Sequence, residues 1–422
     1  DAGAIRVRTR NLFIDGQDNL YILDTGNNRI LKFDRNWNLL MSAGPDTDLG
    51  LDAPQGLYVD EDGHLFIADT ENGRIVHASP EGAFIEAFVE PQDSRWSRDY
   101  PFRPVKVYLD PIGQIVMINM EDYHGFAILD AFNKFKGYIA PTRLPYSFVD
   151  RIREFFMTPE QKERFGLRLP PIHSNMVIDA KGSIHTTTIR TTAQQYKQFS
   201  NIGVNLYPYQ GAFGESAGDY TLVRYGKDVV DPQFVDLALD REGIVYLLDN
   251  TSGRIYQHDQ DGMLLSVFGG TGRYAGRFID AVSIDADSRG NLYVLDANSG
   301  SVHMFQPTAF IRKVKEALRL YYNGEYEASV GPWREILDID SGYVVAHLGM
   351  GKAYMKQREW RSAMDEYRAA GDRTGYSLAF TELRKDLFRR YFGLVILAAG
   401  LALFGLVRLL IALRKKQAAL SI

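Results

Sequence analysis

The sequence predicts an all-β six-bladed propeller, followed by a small α-helical domain and one transmembrane helix. Three observations carry this. One phrase recurs along the chain: NLYILDTGNNRI (19–30), HLFIADTENGRI (64–75), IVYLLDNTSGRI (244–255) and NLYVLDANSGSV (291–302). After Pro307 the apolar spacing changes from the strand period to the helix period. Residues 391–407, YFGLVILAAGLALFGLV, carry no charge.

The repeat is anchored on an aspartate that ends an apolar strand and opens a turn: Asp15, Asp60, Asp110, Asp179, Asp240 and Asp287. In five of the six the turn reads Asp-x-x-Gly. The carboxylate accepts from the backbone two residues on, and glycine takes the positive φ. Nine residues after each anchor stand Asp24, Asp69, Asn119, Thr188, Asp249 and Asp296, and five further on Arg29, Arg74, His124, Ala193, Arg254 and Ser301. The Asp–Arg pair is thus kept in blades 1, 2 and 5, halved in blade 6 and lost in blades 3 and 4. Its repetition points to ion pairs across a tight loop, because a catalytic pair need occur only once. Strands rich in β formers, such as LFIAD and LYVLD, flank these turns. Four antiparallel strands per unit at this spacing predict a propeller blade.

The motif D-x-x-N/S-x-R-I, preceded by D-x-x-G-x-L-Y-V, resembles the NHL repeat. The resemblance covers roughly residues 4–306 and is clearest over blades 1, 2, 5 and 6. It implies six blades and, at the level of class, a surface for protein contacts. Some six-bladed relatives are metal-dependent lactonases or lyases, which makes an enzyme of that kind the alternative reading. Blade 6 is one strand short before Pro307. The N-terminal AIRVR (4–8) is therefore expected to complete it and to remove the exposed edges.

Blades 3 and 4 are interrupted, and the propeller (1–307) is expected to carry insertions at 140–171 and 190–220. Thr158-Pro159-Glu160-Gln161 reads as a capping box with proline at the first helical position, so the first insertion is expected to hold short helices. These segments and the 89–104 link are aromatic. Trp96, Tyr100, Phe102, Tyr146, Phe148, Phe155, Phe156, Tyr207 and Tyr209 are either a partner or glycan surface, or pins that fix the insertions to the ring.

Catalytic and metal signatures are sparse. GESAG (214–218) surrounds Ser216, but DYTLVRYG follows as a strand where a nucleophile elbow needs a helix. The eight histidines show no zinc spacing; His173 and His185, beside the degenerate fourth blade, are the weak metal candidates, and no cofactor is expected. There are no cysteines, so disulfides and thiolate sites are excluded. The net charge of −5, with no basic block in the first 300 residues, gives no nucleic-acid footprint.

Residues 308–388 are expected to form a helical stalk. A 34-residue period pairs Tyr326 with Trp360, Trp333 with Tyr367 and Ile336 with Ala370. The phrase AHLGMGKAYMKQREW resembles the first helix of a tetratricopeptide repeat, through Ala346, Gly349, Tyr354 and Trp360. Asn323-Gly324 should end the preceding helix, and Gly331-Pro332 should kink the next. Residues 389–413 are expected to cross a membrane, with Arg408 snorkelling or facing a partner helix, and 414–422 form a basic tail. Gly393, Gly400 and Gly405 are small residues that let another helix approach. The flanking charges nearly tie, four before the span and four from Arg408 onward. The start at Asp1, which fits a cleaved leader, and the absence of cysteine favour an extracytoplasmic propeller and a cytoplasmic C-terminus. The sum is a non-enzymatic binding or scaffold subunit anchored in the cell membrane. Its expected partners are integral membrane proteins of a cell-surface complex, with a transporter-accessory role as the specific form.

Deleting residues 1–9 is expected to destabilise the whole ring rather than one blade. Thermal unfolding unchanged by the deletion would show that closure does not need this segment.

Overall fold

The computed structural model describes residues 9–142, 170–189, 195–207, 223–225, 228–230 and 232–420. The chain divides into two units, Asp1–Thr308 and Ala309–Ile422.

Among the described residues the first unit is a ring of six antiparallel sheets. Its inner strands are Asn11–Ile14, Gly56–Val59, Pro104–Leu109, Ile172–Ile178, Phe234–Leu239 and Ala281–Ala286. Each neighbours the next in this order, and the last neighbours the first, so the six form a closed ring. Blades 1, 2, 3 and 5 have four strands, laid from channel to rim in sequence order. Blades 4 and 6 show three each, and a separate hairpin pairs Val223–Tyr225 with Asp228–Val230. Residues 4–8, expected as the fourth strand of blade 6, lie outside the described residues. So does Thr158–Gln161 with its expected helix.

The middle strands explain why the repeated phrase is apolar throughout. Side chains on a strand alternate between faces, and every blade is sandwiched between two others. In blade 2, Leu65 and Ile67 join a cluster with Tyr21, Leu23 and Ile30 of blade 1. Phe66 and Ala68, on the opposite face, join Val107, Ile115 and Met117 of blade 3. Both faces are therefore buried, and LFIAD, IVMIN, VYLLD and LYVLD are buried at every position. Each Leu, Ile, Val, Phe or Met side chain among them contributes roughly 1.5–3 kcal/mol of burial free energy. The last blade meets the first in the same way, through Leu12, Ile14 and Leu20 with Tyr293 and Leu295.

The turn aspartates behave as the sequence implies. In all six turns one carboxylate oxygen accepts the N–H groups two and four residues on, as Asp60 does from Asp62 (3.0 Å) and His64 (2.8 Å). Blade 1 has Asp18 at φ 65° where the others have glycine, such as Gly63 at φ 86°. A second set of the same turns joins the third and fourth strands at Asp34, Asp130 and Asp259. The residues around this second turn do not repeat from blade to blade.

The aspartate nine residues on does two jobs. Its inner oxygen fixes the chain that enters its own blade: Asp69 Oδ1 accepts from Asp52 N–H (2.7 Å), Asp249 Oδ1 from Gln233 N–H (2.8 Å) and Asp296 Oδ2 from Ile279 N–H (2.7 Å). Its other oxygen holds the loop. Asp24 and Asp69 pair with Arg29 (2.8 Å) and Arg74 (2.7 Å), as expected from the sequence. Arg74 also donates to the carbonyls of Leu49 and Gly50, so the link from blade 1 is tied to the loop of blade 2. The expected Asp249–Arg254 pair does not form. Ser252 reaches the Asp249 carboxylate first, and Arg254 is exposed. Blade 3, read as having lost both members, keeps the function with other residues. Asn119 Oδ1 accepts from Arg103 N–H (2.7 Å), and buried Asp122 takes His124 (2.6 Å).

The second unit contains five helices: α1 Ala309–Tyr322, α2 Tyr326–Ile339, α3 Val344–Gln357, α4 Trp360–Ala369 and α5 Arg373–Leu420. Gly324 at φ 86° follows α1, and Pro332 sits inside α2, which continues past it. The 34-residue period has a packing cause. Buried Trp333 lies against Gly349, where a Cβ would come within 2.6 Å of the indole, and Tyr367 lies equally close to Gly351 and Gly375. α5 is one 48-residue helix with no break between the expected stalk and the expected span. At 1.5 Å per residue it is about 70 Å long. Its N-terminal part packs on α4 through Ala379, which is fully buried.

Replacing Asp69 with alanine strands Arg74 and the Asp52 N–H. The expected cost is about 3 kcal/mol of ring stability, since removing one member of a buried pair leaves the other uncompensated. Urea unfolding measures it, and a loss below about 1 kcal/mol would reduce the pair to surface decoration.

Candidate functional site

The inner strands leave one edge of each sheet facing the channel, and their N–H groups need partners there. In blades 1 and 6 a neighbouring blade supplies them. Leu12 N–H donates to Ser283 Oγ (3.1 Å) and Ile14 N–H to Asp285 Oδ2 (2.7 Å); Ile284 N–H donates to Asp236 Oδ2 (2.9 Å). The remaining carboxylate oxygens accept from Leu237 and Ala286. Two aspartates on otherwise apolar strands, FVDLAL and AVSIDA, thus staple blades 5, 6 and 1 together. Sequence reading took these strands simply as apolar, although the lone acid in each was the available signal.

Desolvation pushes the Asp285 carboxyl up to about 7 and raises Asp236 as well. The same burial lowers the Lys106 ammonium, opposed by the charges of Asp236 and Asp285. Two residues further along the same strand, Tyr108 meets Tyr58 (ring centroids 4.1 Å), and Tyr58 meets Phe13 edge-on (5.6 Å). The three rings come from the inner strands of blades 1, 2 and 3.

A cavity of about 730 Å3 opens on the face that carries the second-to-third strand loops and the links between blades. Arg10, Gln55, Lys106, Glu121, Asp280 and Asn298 are among its polar lining residues. Its volume falls in the range of small-molecule sites.

His173 also lines this cavity, but both its nitrogens are used. Nδ1 meets Thr186 Oγ1 (3.1 Å) and Nε2 meets the Ala140 carbonyl (3.0 Å), while the ring stacks on Phe126. His185 is likewise held by Tyr196 (2.7 Å) and Asp179 (3.3 Å). Neither offers a lone pair without breaking its own contacts. Among the described residues no group of three or more His, Asp or Glu is placed to hold a metal ion.

The aromatic candidates separate. Trp96 and Phe102 are buried beside one another, and Trp96 packs edge-on against Phe135 and stacks with Tyr138. Tyr207 is buried against Tyr196. These three pin their segments to the ring. Tyr100 is partly exposed and meets Tyr123 edge-on. Tyr146, Phe148, Phe155, Phe156 and Tyr209 lie outside the described residues, as does Ser216.

In α5, Gly393, Gly400 and Gly405 have nothing of this chain within 4 Å of where a Cβ would stand. Arg408 lies over the Phe404 ring (5.9 Å). The segment is long and apolar enough to cross a membrane, with mean hydropathy 2.6 and none of its most apolar window buried.

Residues 51–77 match the family model of the NHL repeat. These residues run from the blade 1–2 link through the third strand of blade 2, and so include the Asp69–Arg74 pair. No curated protein matches the chain. Similar solved structures include virginiamycin B lyase from Staphylococcus aureus (10% identity, 72% of this chain and 85% of that one, TM-score 0.43). A protein of unknown function from Bacteroides thetaiotaomicron VPI-5482 aligns with 11% identity over 71% of this chain and 69% of that one (TM-score 0.48). The WD40 β-propeller domain of Doa1 aligns with 10% identity over 72% and 94% (TM-score 0.42). At these identities the likeness concerns the fold.

Burial pushes the His173 imidazolium down to about 4 and His258 to about 3. Both are therefore neutral in the folded ring, and their contribution is present above about pH 6.5 and lost as the pH falls through those values. For His173 this is on the order of 3 kcal/mol, at about 1.4 kcal/mol per unit. His173→Gln, which keeps a donor and an acceptor but cannot titrate, should flatten the fall in stability between pH 7 and pH 4. Urea unfolding at both values tests this, and an unchanged pH dependence would contradict the assignment.

Proposed function

We propose that the chain is a membrane-anchored propeller that works as a non-enzymatic binding or scaffold subunit of a membrane protein assembly. One observation carries the anchor. Along residues 394–413 of α5 the large apolar side chains are exposed, Leu394, Ile396, Leu401 and Phe404 each by more than half. A helix that is apolar all round and uncovered needs lipid or another apolar surface. The orientation with the propeller extracytoplasmic and the tail cytoplasmic, and the cell membrane as its place, belong to this proposal.

The ring supports a binding role in a different way. Its buried carboxylates and histidines are committed to holding blades and entering strands, as described for Asp69, Asp236, Asp285 and His173. What varies around the ring is the face with the long links, where a partner protein or a glycan can be met without disturbing those contacts. A partner with its own membrane domain would be engaged at two levels, by this face and by the small-residue positions of α5. A transporter accessory subunit is the specific form this takes.

Carbonate extraction of membranes tests the anchor. The full chain should remain in the pellet, and a chain ending at Arg390 should move to the supernatant. Full-length protein released by carbonate would overturn the anchor. Cross-linking in the native membrane tests the assembly. Gly400→Leu and Arg408→Leu should weaken any adduct to an integral membrane protein several-fold, and adducts unchanged in both variants would leave α5 a simple tether.

A further inference from the structure

The polar side chains around the channel-mouth cavity are not equally occupied. On the side of blades 3, 5 and 6, Asn119 is engaged with Arg103 and Pro101, and Asn250 with Asp280. In blade 4, Ser174 is engaged with Thr187. The side chains of Arg10, Gln55, Lys106 and Asn298 make no hydrogen bond or ion pair with any described residue. They come from blades 1, 2, 3 and 6, adjacent in the ring, and all four line the one cavity.

Lys106 is the most telling of them. Its ammonium has three donors and no acceptor function. It is only partly exposed, on the inner strand that also carries Tyr108. The nearby carboxylates of Asp236 and Asp285 already accept two backbone N–H groups each, and neither is within ion-pair distance of Lys106. The charges of Asp236 and Asp285 offset the desolvation of this ammonium without contacting it, and a ligand oxygen of opposite charge bonded to it offsets that cost directly. Arg10 places a guanidinium on the same cavity, suited to a carboxylate fork. The amides of Gln55 and Asn298 each offer both a donor and an acceptor, which suits hydroxyl groups.

We infer that this cavity is a binding site for a small hydroxylated carboxylic acid, its carboxylate held by Lys106 and Arg10 and its hydroxyls by Gln55 and Asn298. The volume of about 730 Å3 admits a ligand of one or two sugar-ring sizes. This adds a ligand class to the binding role proposed above. It does not depend on the membrane anchor, so either can fail alone.

The test is titration calorimetry on the full chain in detergent, with D-galacturonate and citrate as carboxylate probes and D-galactose as the uncharged counterpart. At least one carboxylate should bind, and galactose at least tenfold more weakly. Lys106→Met should lose at least tenfold in affinity, and Gln55→Ala and Asn298→Ala, at the more open mouth, a few-fold each. Thermal melts of each variant separate lost binding from lost folding, and the two amide variants carry the test if Lys106→Met does not fold. The inference is overturned if neither carboxylate binds, if galactose binds as tightly, or if affinity is unchanged in the folded variants.

Discussion

The ring depends on one recurring contact, a buried carboxylate or amide at the end of the second strand that grips the chain entering the same blade. Asp69, Asn119, Asp249 and Asp296 each accept an N–H sixteen or seventeen residues earlier. That contact fixes where the link from the preceding blade arrives, and so sets the spacing of neighbouring blades. The side chain is buried, which means the group must be satisfied on every lone pair it can use. The loop residues Asn72, Arg74 and Ser252 follow from that need, and they differ between blades because several donors serve equally well. In blade 1, Asp24 Oδ1 has no partner among the described residues.

With blades so placed, the rest is apolar contact between faces and polar contact along the channel. The middle strands bury both faces, and the inner strands of blades 1 and 6 find acceptors for free N–H groups on an adjoining blade. The two kinds of contact divide the molecule's chemistry. Carboxylates at Asp236 and Asp285 are architectural, while the side chains of Lys106 and Arg10 make no hydrogen bond or ion pair among the described residues.

The helical unit follows a different constraint. Trp333 and Tyr367 occupy equivalent positions in successive helix pairs, and each requires a glycine on the facing helix. The final helix takes part in this packing only at its start, through Ala379 and its neighbours. Beyond Phe388 its side chains are exposed among the described residues, and from Tyr391 to Val407 its sequence carries no charge.

The blade count, the six Asx turns, the Asp24–Arg29 and Asp69–Arg74 pairs, the end of α1 at Asn323-Gly324 and the long apolar helix were all determined by the sequence alone. Each is a local pattern: a turn within five residues, a pair five apart, an uninterrupted apolar run. What only the tertiary structure decided depends on residues far apart in the chain. Asp249 prefers Ser252 to Arg254, and Asp122 replaces a lost member in blade 3, because position in the loop, not residue identity, selects the partner. Trp96, Phe102 and Tyr207 turn inward because the ring offers apolar surface that no spacing rule reports. The staples from Ser283 and Asp285 to Leu12 and Ile14 join residues 271 apart. The cavity around Lys106 exists only because six blades meet, and all six contribute lining residues.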